Sequence, residues 1–207
     1  MTRKLTQRFA WVRDLLGLSS LPLQEYIYKP IDQFLTKEES QDLEHKLAQT
    51  EITQPAVTFS SLVWTEFLSK LGIIPSAAGG HSLGELPAFY AGGILNKGTL
   101  IKFAELRGKL MASHGGETGS MVSLFCSQER AQELIDQIDG NLLIANINSP
   151  QQVVASGGKK EIKQLMSLAK NQGVSTYELN VSNAFHSSFM LEASQHIESS
   201  SILPETG

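Results

Sequence analysis

Gly79-Gly80-His81-Ser82-Leu83-Gly84-Glu85 is the stretch around which the rest of the chain is organised. It contains G-x-S-x-G as Gly80-His81-Ser82-Leu83-Gly84. The small apolar run from Ile73 to Ala78 leads into it, and an apolar segment of helix length follows from Leu83. A strand that turns sharply into a helix lifts the serine hydroxyl clear of a sheet, and a side chain at either glycine is expected to clash in so tight a turn. The helix start behind Ser82 offers free N–H groups to negative charge developing nearby. Five such residues also occur by chance in glycine-rich turns. The strand–turn–helix setting points instead to a nucleophile elbow.

Composition narrows the classes. The 207 residues suffice for one buried core with a subdomain. Hydrophobic content of 41% and charged content of 18% describe a soluble globular protein, and a net charge of −4 gives no reason to expect nucleic acid as a partner. The single cysteine, Cys126, has no internal disulfide partner, which fits a reducing compartment. Met1-Thr2-Arg3-Lys4 is basic but lacks the apolar run of a signal peptide, and no segment approaches a membrane span. The expected location is cytoplasmic, with no membrane partner.

Upstream of the elbow, Leu5 to Gly17 reads as one helix, Leu18 to Pro30 as a loop, and Ile31 to Gln49 as a polar helical region with a Thr36-x-x-Glu39 capping box. Pro55 suits the first turn of a further helix, with Val57, Leu62, Val63, Phe67, Leu68 and Leu71 as its apolar face and Gly72 as its stop. Downstream, the helix from Leu83 is expected to distort at Pro87 and stop near Gly92-Gly93. A longer helix spans about Asn96 to Ser113, with Leu100, Phe103 and Leu110 on one face. Arg107 shares that face, and a charge there needs a partner. Spacing favours a structural role, by snorkelling or by pairing with a carboxylate, over one that awaits an anionic substrate.

Gly115 to Ser120 reads as a glycine-rich link. Beyond it come a strand (Met121 to Cys126), a helix (Gln128 to Ile138), strands Leu142 to Ile147 and Val153 to Ser156, a helix (Lys159 to Asn171) and a strand (Val174 to Leu179). The order β-α-β-β-α-β is the ferredoxin-like unit, here carried between two parts of a larger one. His186 lies where the chain returns. Of the other histidines, His45 and His196 read as exposed helix positions, His114 as a loop residue and His81 as positioning the elbow.

Gly80-His81-Ser82-Leu83-Gly84-Glu85, Thr53-Gln54-Pro55-Ala56, an arginine 25 residues after the serine, and Ala184-Phe185-His186-Ser187 together resemble the malonyl-CoA:acyl carrier protein transacylase family. That family includes the acyltransferase domains of polyketide and polyunsaturated fatty acid synthases. Ala145-Asn146-Ile147-Asn148-Ser149-Pro150 and Val153-Val154-Ala155-Ser156-Gly157 resemble its small-subdomain strands, and Pro22 to Pro30 is similar to the multienzyme members. The resemblance implies an α/β fold: an α/β-hydrolase-like large subdomain (1–118 and 181–207) with an inserted ferredoxin-like small subdomain (119–180). Ser82 would be the nucleophile, His186 the general base and later acid, and the Leu83 N–H half of the oxyanion hole. Arg107 would clamp a malonyl carboxylate, with His81 and Phe185 also at the substrate. Phe185 resembles members with a small acyl pocket, which favours malonyl over methylmalonyl, while Asn183 departs from the common malonyl-type pattern.

The implied donor is malonyl-CoA and the implied acceptor the phosphopantetheine thiol of an acyl carrier protein, with no metal and no tightly bound cofactor. Family members begin with a strand ending in a Gly-Gln-Gly-type loop, whose glutamine N–H completes the oxyanion hole, and they continue well past the histidine. The sequence is therefore expected to be truncated at both ends: a fragment, half of a split protein that needs a complementing polypeptide or parent synthase, or a mispredicted reading frame. Two other functions follow from fewer residues. The elbow and His186 alone would make a serine esterase or thioesterase, and the expected truncation would make a catalytically silent fragment. Leu203-Pro204-Glu205-Thr206-Gly207 resembles the sortase recognition motif, and a ligation tag or coincidence is the expected reading.

Overall fold

The computed structural model describes residues 2–27, 36–114, 119–179, 181, 184–200 and 202. The architecture is α/β, with helices throughout and one small antiparallel sheet among the described residues. The chain forms two compact units, residues 1–109 with 199–207, and residues 110–198.

In the first unit, the helix expected over Leu5 to Gly17 is two: α1 (Arg3–Arg8) and α2 (Ala10–Leu16). The break is Phe9, extended at φ −121° and ψ 123°. Its ring packs against Trp11 and Phe67, with centroids 6.1 and 5.9 Å away. Aromatic packing at this point outweighs continuation of a short helix, whose own stability is marginal. The expected loop after Gly17 contains α3 (Leu23–Ile27), entered through Pro22 and anchored by the fully buried Leu23.

Helix α4 (Lys37–Ala48) begins with the expected capping box. Glu39 N–H donates to Thr36 Oγ1 at 3.2 Å, and Thr36 N–H donates to Glu39 Oε2 at 2.7 Å. Helix α5 (Thr50–Lys70) starts earlier than the sequence suggests, so Pro55 lies past its first turn rather than within it. The buried stripe is Ile52, Ala56, Phe59, Leu62 and Val63, while Val57, Leu68 and Leu71 are exposed. The stripe follows the i, i+4, i+7 rhythm from Ile52, which rotates the face away from Val57.

The lead-in to the elbow also differs. Residues 73–80 belong to no strand, and Ile74 is 80% exposed. A strand exists only where a second segment satisfies its N–H and C=O groups, and among the described residues all strand pairing lies in the second unit. After the elbow comes a 3₁₀ turn, Ser82–Gly84, and then α6 (Glu85–Ala91). Pro87 therefore falls in the first turn of α6, where a missing N–H costs nothing. The distortion expected at Pro87 is not needed: the α-helix starts at Glu85 rather than Leu83, after the 3₁₀ turn. Helix α7 (Lys97–His114) starts where Thr99 N–H donates to Asn96 Oδ1 at 2.9 Å, and it ends at His114, expected in a loop. Leu100, Ile101, Phe103 and Ala104 are buried.

The second unit contains the ferredoxin-like set in the expected order: β1 (Gly119–Leu124), α8 (Gln128–Ile135), β2 (Leu142–Ser149), β3 (Gln152–Gly158), α9 (Lys159–Asn171) and β4 (Thr176–Glu178). The sheet order is β2-β3-β1-β4, with antiparallel pairing throughout. Gly119 and Ser120 belong to β1 rather than to a link, and residues 115–118 lie outside the described set. Val122, Leu124, Val153 and Ala155 pack against Ala131, Leu134, Ile162, Leu165 and Ala169, which share the inner faces of α8 and α9. Each fully buried leucine or isoleucine contributes about 1.5–3 kcal/mol. A 3₁₀ turn (Ser188–Met190) and α10 (Leu191–Glu198) complete the unit, with Met190 and Ala193 packed on Met111, Leu110 and Phe185. Asn183 and residues 203–207 lie outside the described set.

Candidate functional site

Ser82 holds φ at +52°, a left-handed conformation that costs a side-chain-bearing residue strain. Gly80 makes the turn possible. A Cβ built on it would lie 2.0 Å from the Gly84 carbonyl oxygen and 2.5 Å from the Glu85 nitrogen. The second glycine is different: a Cβ on Gly84 meets nothing within 4 Å, and its φ is −65°. The expected clash therefore holds for Gly80 and not for Gly84. Two further bonds fix the turn: Gly84 N–H donates to the His81 carbonyl at 2.9 Å, and Ser82 N–H donates to Glu85 Oε1 at 3.2 Å. The second reaches back from the start of α6 to the first residue of the 3₁₀ turn, three residues earlier. The Ser82-x-x-Glu85 spacing is the sequence signal that points to Glu85.

Arg107 meets Ser82 within the first unit. Its Nη2 donates to Ser82 Oγ at 3.4 Å, and its Nη1 donates to Gln54 Oε1 at 2.6 Å. Spacing led to the expectation of a carboxylate partner or snorkelling, whereas the short bond goes to a neutral carboxamide. Gln54 is buried, and its Nε2 donates to Thr50 Oγ1 at 2.8 Å. The helices carrying these groups come close at Gly108, where an added Cβ would lie 3.0 Å from the Thr50 carbonyl oxygen and the Glu51 Cα. Burial pulls the Arg107 pKa below its ordinary value, and the Glu85 carboxylate partly offsets this. The guanidinium is thus half-buried, charged and poised beside the serine hydroxyl.

His81 is exposed and extended ahead of the 3₁₀ turn, and Leu83 is the middle residue of that turn. In the second unit, Phe185 packs against the Met111–Met190–Ala193 cluster. His186 is exposed, and its φ is +56°. Ser187 Oγ closes the turn around it by donating to the Ala184 carbonyl at 2.6 Å. Among the described residues, Ser82 and His186 are the two non-glycine residues with positive φ. An open groove of about 520 Å³ borders the elbow on Ser61, Thr65, Ile73, Gly80 and Pro87, but neither Ser82 nor Arg107 lines it. The described residues hold no cluster of three or more His, Cys, Asp or Glu suited to a metal, and none of their helices is long and apolar enough to cross a membrane.

Fold and site define an α/β protein with a serine elbow, a guanidinium at the serine hydroxyl and a ferredoxin-like unit. The chain belongs to the acyl transferase domain family, whose sequence profile matches residues 28–202. It is 35% identical over 158 residues to the malonyl CoA-acyl carrier protein transacylase of Synechocystis sp., covering 76% of this chain and 53% of that protein. Among solved structures it resembles the malonyl CoA-acyl carrier protein transacylase of Clostridium perfringens, with TM-score 0.80 and 28% identity over 93% of this chain and 60% of that one. It also resembles a malonyl-transacylase solved in complex with its type II polyketide synthase acyl-carrier protein, with TM-score 0.78 and 29% identity over 93% and 62% of the two chains. The chain therefore spans about half to two-thirds of the length of these relatives.

Proposed function

We propose that the chain carries the site of a malonyl transfer from malonyl-CoA to the phosphopantetheine thiol of an acyl carrier protein. The observation that carries this reading is the Arg107 guanidinium 3.4 Å from the Ser82 hydroxyl. A cation at the rim of a nucleophile suits a short acyl group with a carboxylate at its far end, and would do nothing for an acetyl group. In the first half-reaction, Ser82 Oγ attacks the thioester carbonyl carbon and His186 takes its proton. The C–S bond breaks, and His186 returns the proton to the departing CoA sulfur. In the second, the carrier thiol gives its proton to His186 and attacks the Ser82 ester, and the proton passes back to Ser82 Oγ. The Leu83 N–H serves the oxyanion, Arg107 holds the malonyl carboxylate, and His81 and Phe185 border the acyl group.

The strain at Ser82 and at His186 supports the two catalytic roles, because costly backbone conformations cluster at functional sites. Likeness to a transacylase solved with its carrier protein supports the acceptor. The proposed organisation is a large subdomain over 1–118 and 181–207 with a small one over 119–180, and the proposed location is cytoplasmic. The chemistry calls for no tightly bound cofactor. Intact-mass spectrometry after incubation with malonyl-CoA tests the reading. A malonyl adduct is expected on Ser82 and none in Ser82→Ala, and an adduct surviving in that variant would sink the assignment. Arg107→Ala is expected to lower malonylation about 10- to 100-fold, the size of a lost charge-assisted contact, while sparing acetylation.

A further inference from the structure

We infer that Gln54 is a positioning residue for acyl selectivity: it sets the angle of the Arg107 guanidinium and so decides whether a dicarboxylic acyl group is preferred at Ser82. The inference rests on the proposed malonyl transfer and goes further, to what holds the clamp in place. Arg107 sits on a long flexible stem, and an untethered guanidinium would spend little of its time in one pose. Gln54 removes that freedom. Its Oε1 accepts an Nη1 proton at 2.6 Å, and its Nε2 donates to Thr50 Oγ1 at 2.8 Å. The guanidinium only donates, so it selects the oxygen end of the amide, and the Thr50 hydroxyl holds the nitrogen end.

Gln54 is only 4% exposed, so water offers little substitute for it. The close approach of α7 to α5 at Gly108 sets the span that this bridge must cross. With one Nη1 proton on Gln54 Oε1 and one Nη2 proton on Ser82 Oγ, each nitrogen keeps one N–H, enough for a two-point grip on a carboxylate beside the serine. A neutral partner is what this role requires. A carboxylate at position 54 would satisfy Arg107 fully and compete with the substrate.

Gln54→Glu and Gln54→Leu separate these ideas. The readouts are the initial rates of Ser82 acylation by malonyl-CoA and by acetyl-CoA, followed by intact mass. Gln54→Glu is expected to cut the malonyl-to-acetyl rate ratio about 100-fold, and Gln54→Leu about 10-fold, the range for loss or capture of a hydrogen bond to a charged group. Acetylation should stay within about threefold of wild type, which a misfolded variant would not show. The ¹⁵N resonances of the Arg107 side chain report the tether independently of activity. Separate, slowly exchanging Nη signals are expected in the wild-type chain, and a single averaged signal in Gln54→Leu. Thr50→Val, which removes only the anchor of the amide, is expected to give an intermediate change in both readouts. An unchanged ratio in Gln54→Glu, or Arg107 signals indifferent to Gln54→Leu, would overturn the inference. Absence of any malonyl adduct on wild-type Ser82 would instead overturn the proposed transfer, and the nitrogen signals would still decide the tether.

Discussion

In the second unit, Val122, Leu124 and Val153 are sealed between a four-stranded sheet and two helices. In the first, Leu71, Ile73 and Ile74 lead toward Ser82 with 55–80% of their surface open. The two stretches are similarly apolar. What differs is the neighbours each is given. β1 lies between β3 and β4, whose partners all come from one short span of chain, so its hydrogen bonds and its core close together. Residues 73–80 have no ladder, and their apolar side chains remain outside. Burial is thus a property of the surroundings more than of the residue.

The largest expected contrast is in amide exchange. Protection at Val122 and Ala155 should exceed that across residues 74–80 by about a thousandfold or more, as between core strands and open segments. Exchange is also expected to be fast around Ser82 and after His186. Hydrogen exchange on the isolated chain checks this, and uniform strong protection through the elbow would erase the distinction between the units. A second contrast lies within the elbow. Gly80→Ala forces a Cβ into the backbone of Gly84, so Ser82 should shift by an ångström or so and acylation should fall about 100-fold. Gly84→Ala has open space to fill and should leave acylation within about twofold and stability within about 0.5 kcal/mol. Equal damage from the two alanines would contradict the geometry of the turn.

A cavity in the second unit sharpens the comparison at smaller scale. Leu134 is fully buried in the ferredoxin-like core. Leu134→Ala should cost that unit about 2–5 kcal/mol. Trp11 and Trp64, the two tryptophans of the chain, both lie in the first unit. Far-ultraviolet dichroism should therefore show an earlier denaturant transition in the variant, with the tryptophan fluorescence transition in place. A shift of both together would mean that the units unfold as one.

Much of this was legible in the chain itself. The capping box at Thr36 and Glu39, the whole of helix Lys159–Asn171, and the β-α-β-β-α-β order are local or near-local patterns, and the structure follows them. So is the need for glycine at position 80, since the clash is with residues four and five positions on. Tertiary structure decided what depends on distant partners. Phe9 left its helix for Phe67, and the buried face of α5 turned away from Val57. Ile73 to Ala78 stayed unpaired for want of a neighbouring strand, and Arg107 found the carboxamide of Gln54 rather than a carboxylate. Helical rhythm places Arg107 on a face but cannot say what faces it. That depends on the packing of α7 against α5 at Gly108, which brings residues 53 positions apart to 2.6 Å.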